Sequence, residues 1–399
     1  MPKRLRSKGN KKAAVSGGED RLSALPEDVI LLLLSFLTSR QAVQMSVLGP
    51  RWRALWKSLP SLRFDMGLDH TSHSFHFIES LIRYRDPTTP LFECEILSSD
   101  RFSQDVDMCL RYAVSRKVRD LRIKIYSLRY FQLSAGTFFS KHLTRLFLRK
   151  VWLDDFYLHV SSCNSLEELE IKRCDINIGD VGTHFPKSLR LLRIRNTNID
   201  PIVTRSFISA PGLVTLELAV GYECALCLKS MPSLVTAFIK IGHKSGFSYC
   251  EACEFDDGVL LKGLSGATNL ELIRVRSMVF RKEIKCYPTF SKLKTLLLSD
   301  WCMASNFTGL VYFLQHSPIL ERFTLQLGRY CEKTQMHEVY PKEQFMVSKH
   351  LKAIEITYFQ KDVRVDQIVN FLAYHGVHPK LINIERKPYD DCFSFKRKE

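Results

Sequence analysis

The hydrophobic positions of this chain repeat in one short pattern from residue 118 onward. Two apolar residues stand three positions apart, and a third follows two positions later. The pattern occurs ten times, and seven of the nine intervals between successive starts fall within about 20 to 29 residues. The ten triads are Val118/Leu121/Ile123, Leu143/Leu146/Leu148, Leu166/Leu169/Ile171, Leu189/Leu192/Ile194, Leu213/Leu216/Leu218, Leu234/Ala237/Ile239, Leu270/Ile273/Val275, Leu293/Leu296/Leu298, Leu320/Phe323/Leu325 and Leu351/Ile354/Ile356.

A period of this length is typical of leucine-rich repeats, which stack one supersecondary unit on the next. Each unit is predicted to give one short parallel strand whose three apolar side chains point into a continuous core. The predicted fold is therefore an α/β solenoid, a leucine-rich-repeat array of about ten short parallel strands over residues 106–399. A helix over Val365–Tyr374 is expected to cap its open end.

Three short helices are predicted before the repeats. The first should run from Pro26 to Leu37 and is apolar on all sides, so it needs cover on more than one face. The second is expected over Gln41–Leu48. The third begins at Arg51 and places Trp52, Leu55 and Trp56 on one face. Three helices are too few to bury these side chains, which predicts that another surface packs on them.

The N-terminal residues resemble the F-box of the plant F-box and leucine-rich-repeat family. The resemblance rests on residues 20–30 (DRLSALPEDVI), Leu34-Ser35-Phe36-Leu37, Gln41-Ala42-Val43 and residues 51–56 (RWRALW), with Gly49-Pro50 as a departure. It implies an F-box over residues 20–65 that docks on a Skp-type adaptor and, through it, a cullin ubiquitin ligase. Carried over by position, the adaptor-facing residues would be Leu25, Pro26, Ile30, Leu34, Val43, Val47, Trp52 and Trp56. The alternative is that these apolar residues pack against the rest of the chain.

The resemblance also extends to the C-terminal part of the chain. Residues 320–327 (LERFTLQL) and 351–356 (LKAIEI) resemble the closing FBD-like unit of that family, over about residues 320–386. The expected organisation is then a basic disordered tail over 1–19, the F-box, a linker and array entry over 66–105, and the repeats.

Charge adds candidate binding positions on the predicted concave face. The chain of 399 residues holds 58 Lys and Arg against 42 Asp and Glu, a formal net charge of +16. Arginines suit carboxylate or phosphate partners, although they could equally be solvated positions of a basic protein. The candidate target-binding residues are Arg122, Arg145, Phe147, Arg190, Arg193, Arg195, Phe238, Arg274 and Arg276.

The basic tail and the absence of a long apolar run bear on location. The longest purely apolar run, Val29 to Leu34, is far below the ~20 residues of a membrane helix. No signal peptide is apparent, so the nucleus or cytoplasm is expected. Residues 1–19 are either a nuclear-import signal or a solvated tail.

Candidate chemistry is sparse. Cys224, Cys227, Cys250 and Cys253 have nearly the spacing of a four-thiolate zinc site, yet reduced unliganded cysteines are the alternative. No phosphate-binding loop or hydrolase motif is found, and no cofactor is expected. The resulting hypothesis is a non-catalytic substrate receptor of a Skp-cullin-F-box ubiquitin ligase that binds an unidentified target protein. A repeat protein that binds protein or RNA outside the ligase is the alternative, although nucleic acid is the weaker partner because only charge supports it.

Overall fold

The fold was obtained as a computed structural model. It describes residues 24–66, 73–99, 103–127, 129–133, 140–153, 160–178, 183–201, 207–220, 227–229, 231–241, 258–273, 288–328, 347–359 and 362–387. The tail over 1–19 lies outside the described residues.

The described residues form nineteen strands. In chain order they are β1 (Ser61–Met66), β2 (Glu93–Ser98), β3 (Asp120–Ile125), β4 (Phe131–Gln132), β5 (Arg145–Arg149), β6 (Val151–Leu153), β7 (Glu168–Lys172), β8 (Asp175–Ile178), β9 (Thr183–His184), β10 (Leu191–Pro201), β11 (Phe207–Ser209), β12 (Thr215–Val220), β13 (Cys227–Leu228), β14 (Thr236–Ile241), β15 (Asn269–Ile273), β16 (Thr295–Ser299), β17 (Arg322–Gln326), β18 (Ala353–Tyr358) and β19 (Ile382–Arg386).

Thirteen of these strands make one parallel ladder in chain order, from β1 to β19. Residues at the same position of each repeat are register partners, as Leu121, Leu146 and Leu169 are in β3, β5 and β7. All three side chains are buried, because each inward row stacks on the next to form the core. The other face of the ladder, which the sequence predicts to be concave, is called the open face below.

Short outer strands follow the main ones at the corners of several repeats. β4, β6 and β8 pair in sequence and join the C-terminal half of β10, and β9, β11 and β13 form a separate small sheet. After β5 and β7 the chain turns from the main ladder into the outer ladder within one or two residues. The leucine-rich-repeat array predicted from the sequence is confirmed in its architecture.

One predicted triad is out of register. The sequence pattern assigned Leu270, Ile273 and Val275 to the core, whereas the buried inward residues of that repeat are Ala267, Leu270 and Leu272. Register decides this, because Leu270 and Leu272 lie opposite Leu296 and Leu298 of β16. Ile273 therefore points to the open face.

The ladder is also longer than predicted. β1 consists of residues assigned to the F-box and its first flank, and β2 lies in the segment expected to be a linker. Within its described part, the expected linker over 66–105 is thus replaced by a helix over His73–Tyr84 and by β2, and both contribute side chains to the repeat core. β19 adds a last strand beyond β18.

Eight α-helices occur in the described residues. They are α1 (Glu27–Ser35), α2 (Ser39–Gln44), α3 (Trp52–Leu55), α4 (His73–Tyr84), α5 (Ser103–Ser115), α6 (Gly258–Leu264), α7 (Ala304–Gln315) and α8 (Arg364–Tyr374). α1 is shorter than expected, because Pro26 is its N-cap and Phe36 its C-cap. Thr38 and Gln41 form a reciprocal capping box that starts α2.

The C-terminal helix lies close to its predicted bounds and is anchored by buried contacts. Phe371 of α8 stacks on Phe307 with ring centroids 4.7 Å apart. At its N-terminus Arg364 donates from Nη2 to Asp362 Oδ2 at 2.6 Å, and Asp300 lies 3.8 Å from Arg364 Nη1. α8 packs on the core beside β18, and the end of the ladder is formed by β19 rather than by the helix alone.

Candidate interaction surfaces

The three N-terminal helices, residues 24–60, have a small core of their own. We call this segment the helical unit. Its buried side chains are Ile30, Leu34, Ala42, Trp52, Leu55 and Leu59. Ile30 and Leu34 are about one turn apart on α1, so they form one stripe of the helix, and this stripe lies in the unit's core. This arrangement corrects the expectation for Trp52, which is only 4% exposed and forms part of the unit's interior.

The eight expected adaptor-facing residues therefore separate into three groups. Ile30, Leu34 and Trp52 lie in the core of the helical unit. Val43 and Trp56 are half-buried and pack against the repeat core, while Leu25 packs on the unit's own core. Pro26 and Val47 are exposed. The sequence could not separate these groups, because α1 is apolar on every side and a helix buries only the stripe that finds a neighbour.

A different apolar stripe of α1 points to solvent. Val29, Leu32, Leu33 and Phe36 are all exposed, and their spacing of i, i+3, i+4 and i+7 puts them on one helical face. Val47 and Leu48, in the short 3-10 helix Met45–Leu48 after α2, are exposed as well, Val47 to 87%. These six residues are called the apolar stripe below. They are six of the fifteen large hydrophobic side chains that are exposed in the described part of the chain, within twenty residues of sequence. Such a concentration marks an interaction surface.

Arg85 connects the helical unit to the repeats. The side chain is 2% exposed, and its Nη2 donates to the carbonyl of Leu59 at 2.7 Å and of Pro90 at 3.1 Å. Its Nη1 donates to the carbonyl of Thr89 at 3.1 Å and to Tyr112 Oη at 3.3 Å. The guanidinium thus joins the end of the helical unit, the loop before β2 and helix α5. The sequence analysis missed this residue, since a lone arginine carries no pattern.

β1 begins directly at the end of the helical unit and holds a second connection. The backbone N–H of Arg63 donates to Ser39 Oγ at 3.0 Å, and its Nη1 donates to the carbonyl of Phe36 at 3.1 Å. Arg63 also forms an ion pair with Glu95 at 2.5 Å. The helical unit is therefore fixed to the first two strands of the ladder by side-chain and backbone contacts.

Most of the described arginines that were expected on the open face are paired with acids, and for Arg193 and Arg195 these acids lie on neighbouring strands. Arg195 Nε lies 2.5 Å from Glu217 Oε1, and Arg195 also reaches Glu170 at 3.4 Å. Arg193 lies 3.8 Å from Glu170 and 3.6 Å from Glu217. A parallel register explains this pairing, because it places the same position of successive repeats side by side.

The arginines of the first repeats are paired as well. Arg122 bonds to Asp120 of its own strand at 2.8 Å, and Arg145 lies 3.5 Å from Glu168 of the next strand of the ladder. Arg190 donates to the carbonyl of Gly212 at 2.9 Å. Arg122, Arg145, Arg193 and Arg195 are thus held in ion pairs within the protein, and their role in target binding stays a prediction. Arg274 and Arg276 lie outside the described residues.

The two expected aromatic anchors differ in exposure. Phe147 is half-buried, and the ammonium of Lys124 lies 5.6 Å from its ring centroid. Phe238 is 9% exposed and clusters with Ile273 and Leu297 on the open face, with Ala219 against them. The sequence analysis missed this apolar cluster because it placed Ile273 in the core.

The described residues contain no group of three or more potential ligands that could hold a metal ion. Cys224, Cys250 and Cys253 lie outside the described residues, and so does the side chain of Cys227, so the zinc hypothesis keeps its two alternatives. Burial raises the pKa of the Cys174 thiol to about 12, which keeps it protonated at neutral pH. Among the helices described, none has the length and apolarity needed to cross a bilayer.

Comparison with known proteins assigns the family. A family model described as At1g61320/AtMIF1, LRR domain, matches residues 102–372, which is more than half of the chain. The chain belongs to the plant F-box and leucine-rich-repeat family. The F-box/FBD/LRR-repeat protein At5g56420 of Arabidopsis thaliana is 24% identical over 92% of this chain and 92% of its own length.

Two further relatives from the same plant match over shorter spans. The F-box/FBD/LRR-repeat protein At3g26920 is 30% identical over 58% of this chain and 49% of its own length. The F-box/LRR-repeat protein At3g26922 is 28% identical over 55% of this chain and 82% of its own length. The names of these relatives agree with the family resemblance found in the sequence.

Proposed function

We propose that this protein is the substrate-recognition subunit of a Skp-cullin-F-box ubiquitin ligase. The helical unit docks on a Skp-type adaptor, which links it to a cullin, and the repeats bind the protein to be ubiquitinated. The observation that carries the proposal is the apolar stripe, because a small helical unit that has filled its own core still exposes six large hydrophobic residues. The family membership supports the assignment of this unit as an F-box.

The two faces of α1 have different roles in this proposal: one stabilises the helical unit and the other binds the adaptor. Its inward stripe, Ile30 and Leu34, is fully buried and holds the unit together. Its outward stripe contributes less to folding, since side chains that stay exposed bury little apolar area when the chain folds. A stretch that is apolar on all sides is therefore explained if a partner covers the outer face.

The attachment to the repeats fits a receptor. Arg85 and Arg63 fix the helical unit to the first strands, so a target bound along the ladder is held at a defined position relative to the adaptor. The receptor then contributes proximity, not chemistry, to ubiquitin transfer. Nuclear or cytoplasmic localisation, expected from the basic tail, remains part of the proposal.

Isothermal titration of the full chain with a purified Skp-type adaptor tests the proposal. Val47→Asp and Leu32→Asp place a charge on the apolar stripe and should each weaken binding by at least about thirtyfold, or about 2 kcal/mol. Val235→Asp is the matched control, because Val235 is also exposed but lies in the repeats. Both classes of variant should unfold at the same denaturant concentration as wild type.

Two results would count against the proposal. One is a wild-type chain that does not bind the adaptor while it remains folded. The other is equal binding by wild type, Val47→Asp and Leu32→Asp, since the apolar stripe would then have another purpose.

A further inference from the structure

Four basic side chains meet at the corner where β5 and β7 end. Arg149 and Lys172 are the last residues of the two strands and are register partners. Lys150 and Arg173 follow them directly, at the turn into the outer ladder. All four side chains are partly or fully accessible to solvent. We call these four residues the basic corner.

The basic corner differs from the other cations of the open face in its partners. Arg195, one repeat later, is held by Glu217 and Glu170, and Lys124, one repeat earlier, forms an ion pair with Glu95. None of the four corner residues forms an ion pair with any carboxylate in the described part of the chain. The corner is therefore a localised positive patch, bounded on both sides by neutralised repeats.

The backbone does not require basic residues at this corner. Lys150 and Arg173 have φ values of 62° and 53°, in the left-handed region that favours glycine and asparagine. Asn196 has the same conformation, with φ 50°, after the corresponding stretch of the next repeat. Asparagine thus fits this turn, and the two long cations need an explanation other than folding.

The turn that carries the charges is fixed by hydrogen bonds. The N–H of Lys150 donates to the carbonyl of Lys172 at 3.1 Å, and the N–H of Arg173 donates to the carbonyl of Arg195 at 2.9 Å. Beneath them the buried Cys174 Sγ accepts from the N–H of Val151 at 3.5 Å. A rigid corner loses little conformational freedom when it binds a partner.

Two tyrosines position the cations from below. The guanidinium of Arg149 lies 4.7 Å from the ring centroid of Tyr126, and the ammonium of Lys150 lies 4.7 Å from that of Tyr130. One face of each ring is thus used by a cation within the protein. This leaves the rings less suited to stacking on nucleic-acid bases and suited to holding the charges in place.

We propose that the basic corner binds a short acidic segment of the target protein. This inference rests on the proposed function, because it names the chemical class of the target. Neighbouring strands are about 4.8 Å apart, so cations on two neighbouring repeats lie close enough to bind successive carboxylates of one extended peptide. Electrostatic affinity for nucleic acid grows with the number of phosphates that Lys and Arg neutralise, and these four side chains can neutralise only a few.

Fluorescence anisotropy with the full chain tests this inference. The probes are a short labelled peptide of alternating Glu and Ser, the same peptide with Gln in place of Glu, and a uridine oligonucleotide of equal length, all at low salt. The test variant is Lys150→Asn with Arg173→Asn, which removes two charges and keeps a residue suited to the turn. The control is Arg111→Gln with Lys117→Asn, because both residues are exposed and Lys117 has a φ of 58°.

Wild type and control should both bind the acidic peptide. The test variant should bind it about fivefold to tenfold more weakly, and this difference should shrink as the salt concentration rises. Equal binding by the test variant, or no binding of the acidic peptide by wild type, would overturn the inference. Tighter, corner-dependent binding of the oligonucleotide would overturn it in favour of nucleic acid. Adaptor binding is measured on the same samples. If the acidic peptide does not bind but the adaptor does, only the inference about the basic corner is refuted. If the peptide binds but the adaptor does not, only the proposed docking on the adaptor is refuted.

Discussion

Replacement of the buried Arg85 by methionine should destabilise the joint between the helical unit and the repeats. The guanidinium donates to three backbone carbonyls and to Tyr112 Oη, and no carboxylate in the described part of the chain is paired with it. Methionine fills a similar volume but donates no hydrogen bond. The carbonyl oxygens and Tyr112 Oη that accept from Arg85 would therefore be left without this donor.

The size of the effect follows from the burial of those acceptors. The bonds to Leu59 and Tyr112 are buried, while those to Thr89 and Pro90 are only partly buried, so water can replace the latter. A buried acceptor left without a donor costs about 1–3 kcal/mol. Two such acceptors predict a loss of roughly 2–6 kcal/mol in the free energy of unfolding.

Urea denaturation followed by circular dichroism measures this loss. Arg83→Met is the matched control, because Arg83 lies only two residues earlier, in the last turn of α4, and its side chain is 68% exposed. It should change stability by less than about 0.5 kcal/mol. A loss below about 1 kcal/mol for Arg85→Met would refute the reasoning, because the buried bonds would then contribute nothing beyond what water provides.

Three further predictions concern the repeats. Gly212→Ala should lower the free energy of unfolding by about 1–3 kcal/mol, because its Cβ would lie 2.0 Å from the carbonyl oxygen of Lys187. Gly266→Ala is the control and should be tolerated, because the nearest atom to its Cβ lies at 3.5 Å. Thermal unfolding compares the two variants. Burial lowers the pKa of His375 below 6.5, so the unfolded state takes up its proton first, and stability should fall as the pH drops below 6.5. Melting temperatures at pH 7.5 and 5.5 should show this fall in wild type and a smaller one in His375→Gln; equal falls would exclude His375 as the cause. Cys174 is buried and its pKa is raised, so it should not react with iodoacetamide at pH 8 until the protein is unfolded. Mass spectrometry measures the labelling. Rapid labelling of the native protein would contradict the burial of this thiol.

Most of the repeat architecture could be predicted from the sequence, because a stacked core demands the same three inward positions in every unit. The error at β15 has a specific origin. The true first position is Ala267, which is a weak apolar signal, while Ile273 on the open face completes a competing pattern that starts three residues later. Only the register with β16 separates the two.

The first two strands were missed although their signal is present. Leu59, Leu62 and Phe64 follow the repeat pattern, and so do Leu91, Cys94 and Ile96. The first set overlaps the F-box resemblance, and the second lies in the segment that was expected to be a linker and array entry. β19 has no such pattern, since its residues are mostly exposed.

The candidate surfaces were harder to predict. The spacing of α1 shows that two stripes exist, but which one is buried depends on where α2 and α3 lie. The pairing of Arg193 with Glu170 and Glu217 could have been predicted, because a parallel register aligns the same position of each repeat. The turn at Lys150 and Arg173 could not, since no sequence rule predicts a left-handed conformation for lysine or arginine.

Photo-cross-linking of the adaptor complex tests the central claim most directly. p-Benzoylphenylalanine is placed at position 36, where Phe36 of the apolar stripe is 65% exposed, or at position 152, where Trp152 of the repeats is 46% exposed. Irradiation of the assembled complex should give a covalent adduct with the Skp-type adaptor from position 36 and none from position 152. An assembled complex that cross-links from position 152 and not from position 36 would contradict the account.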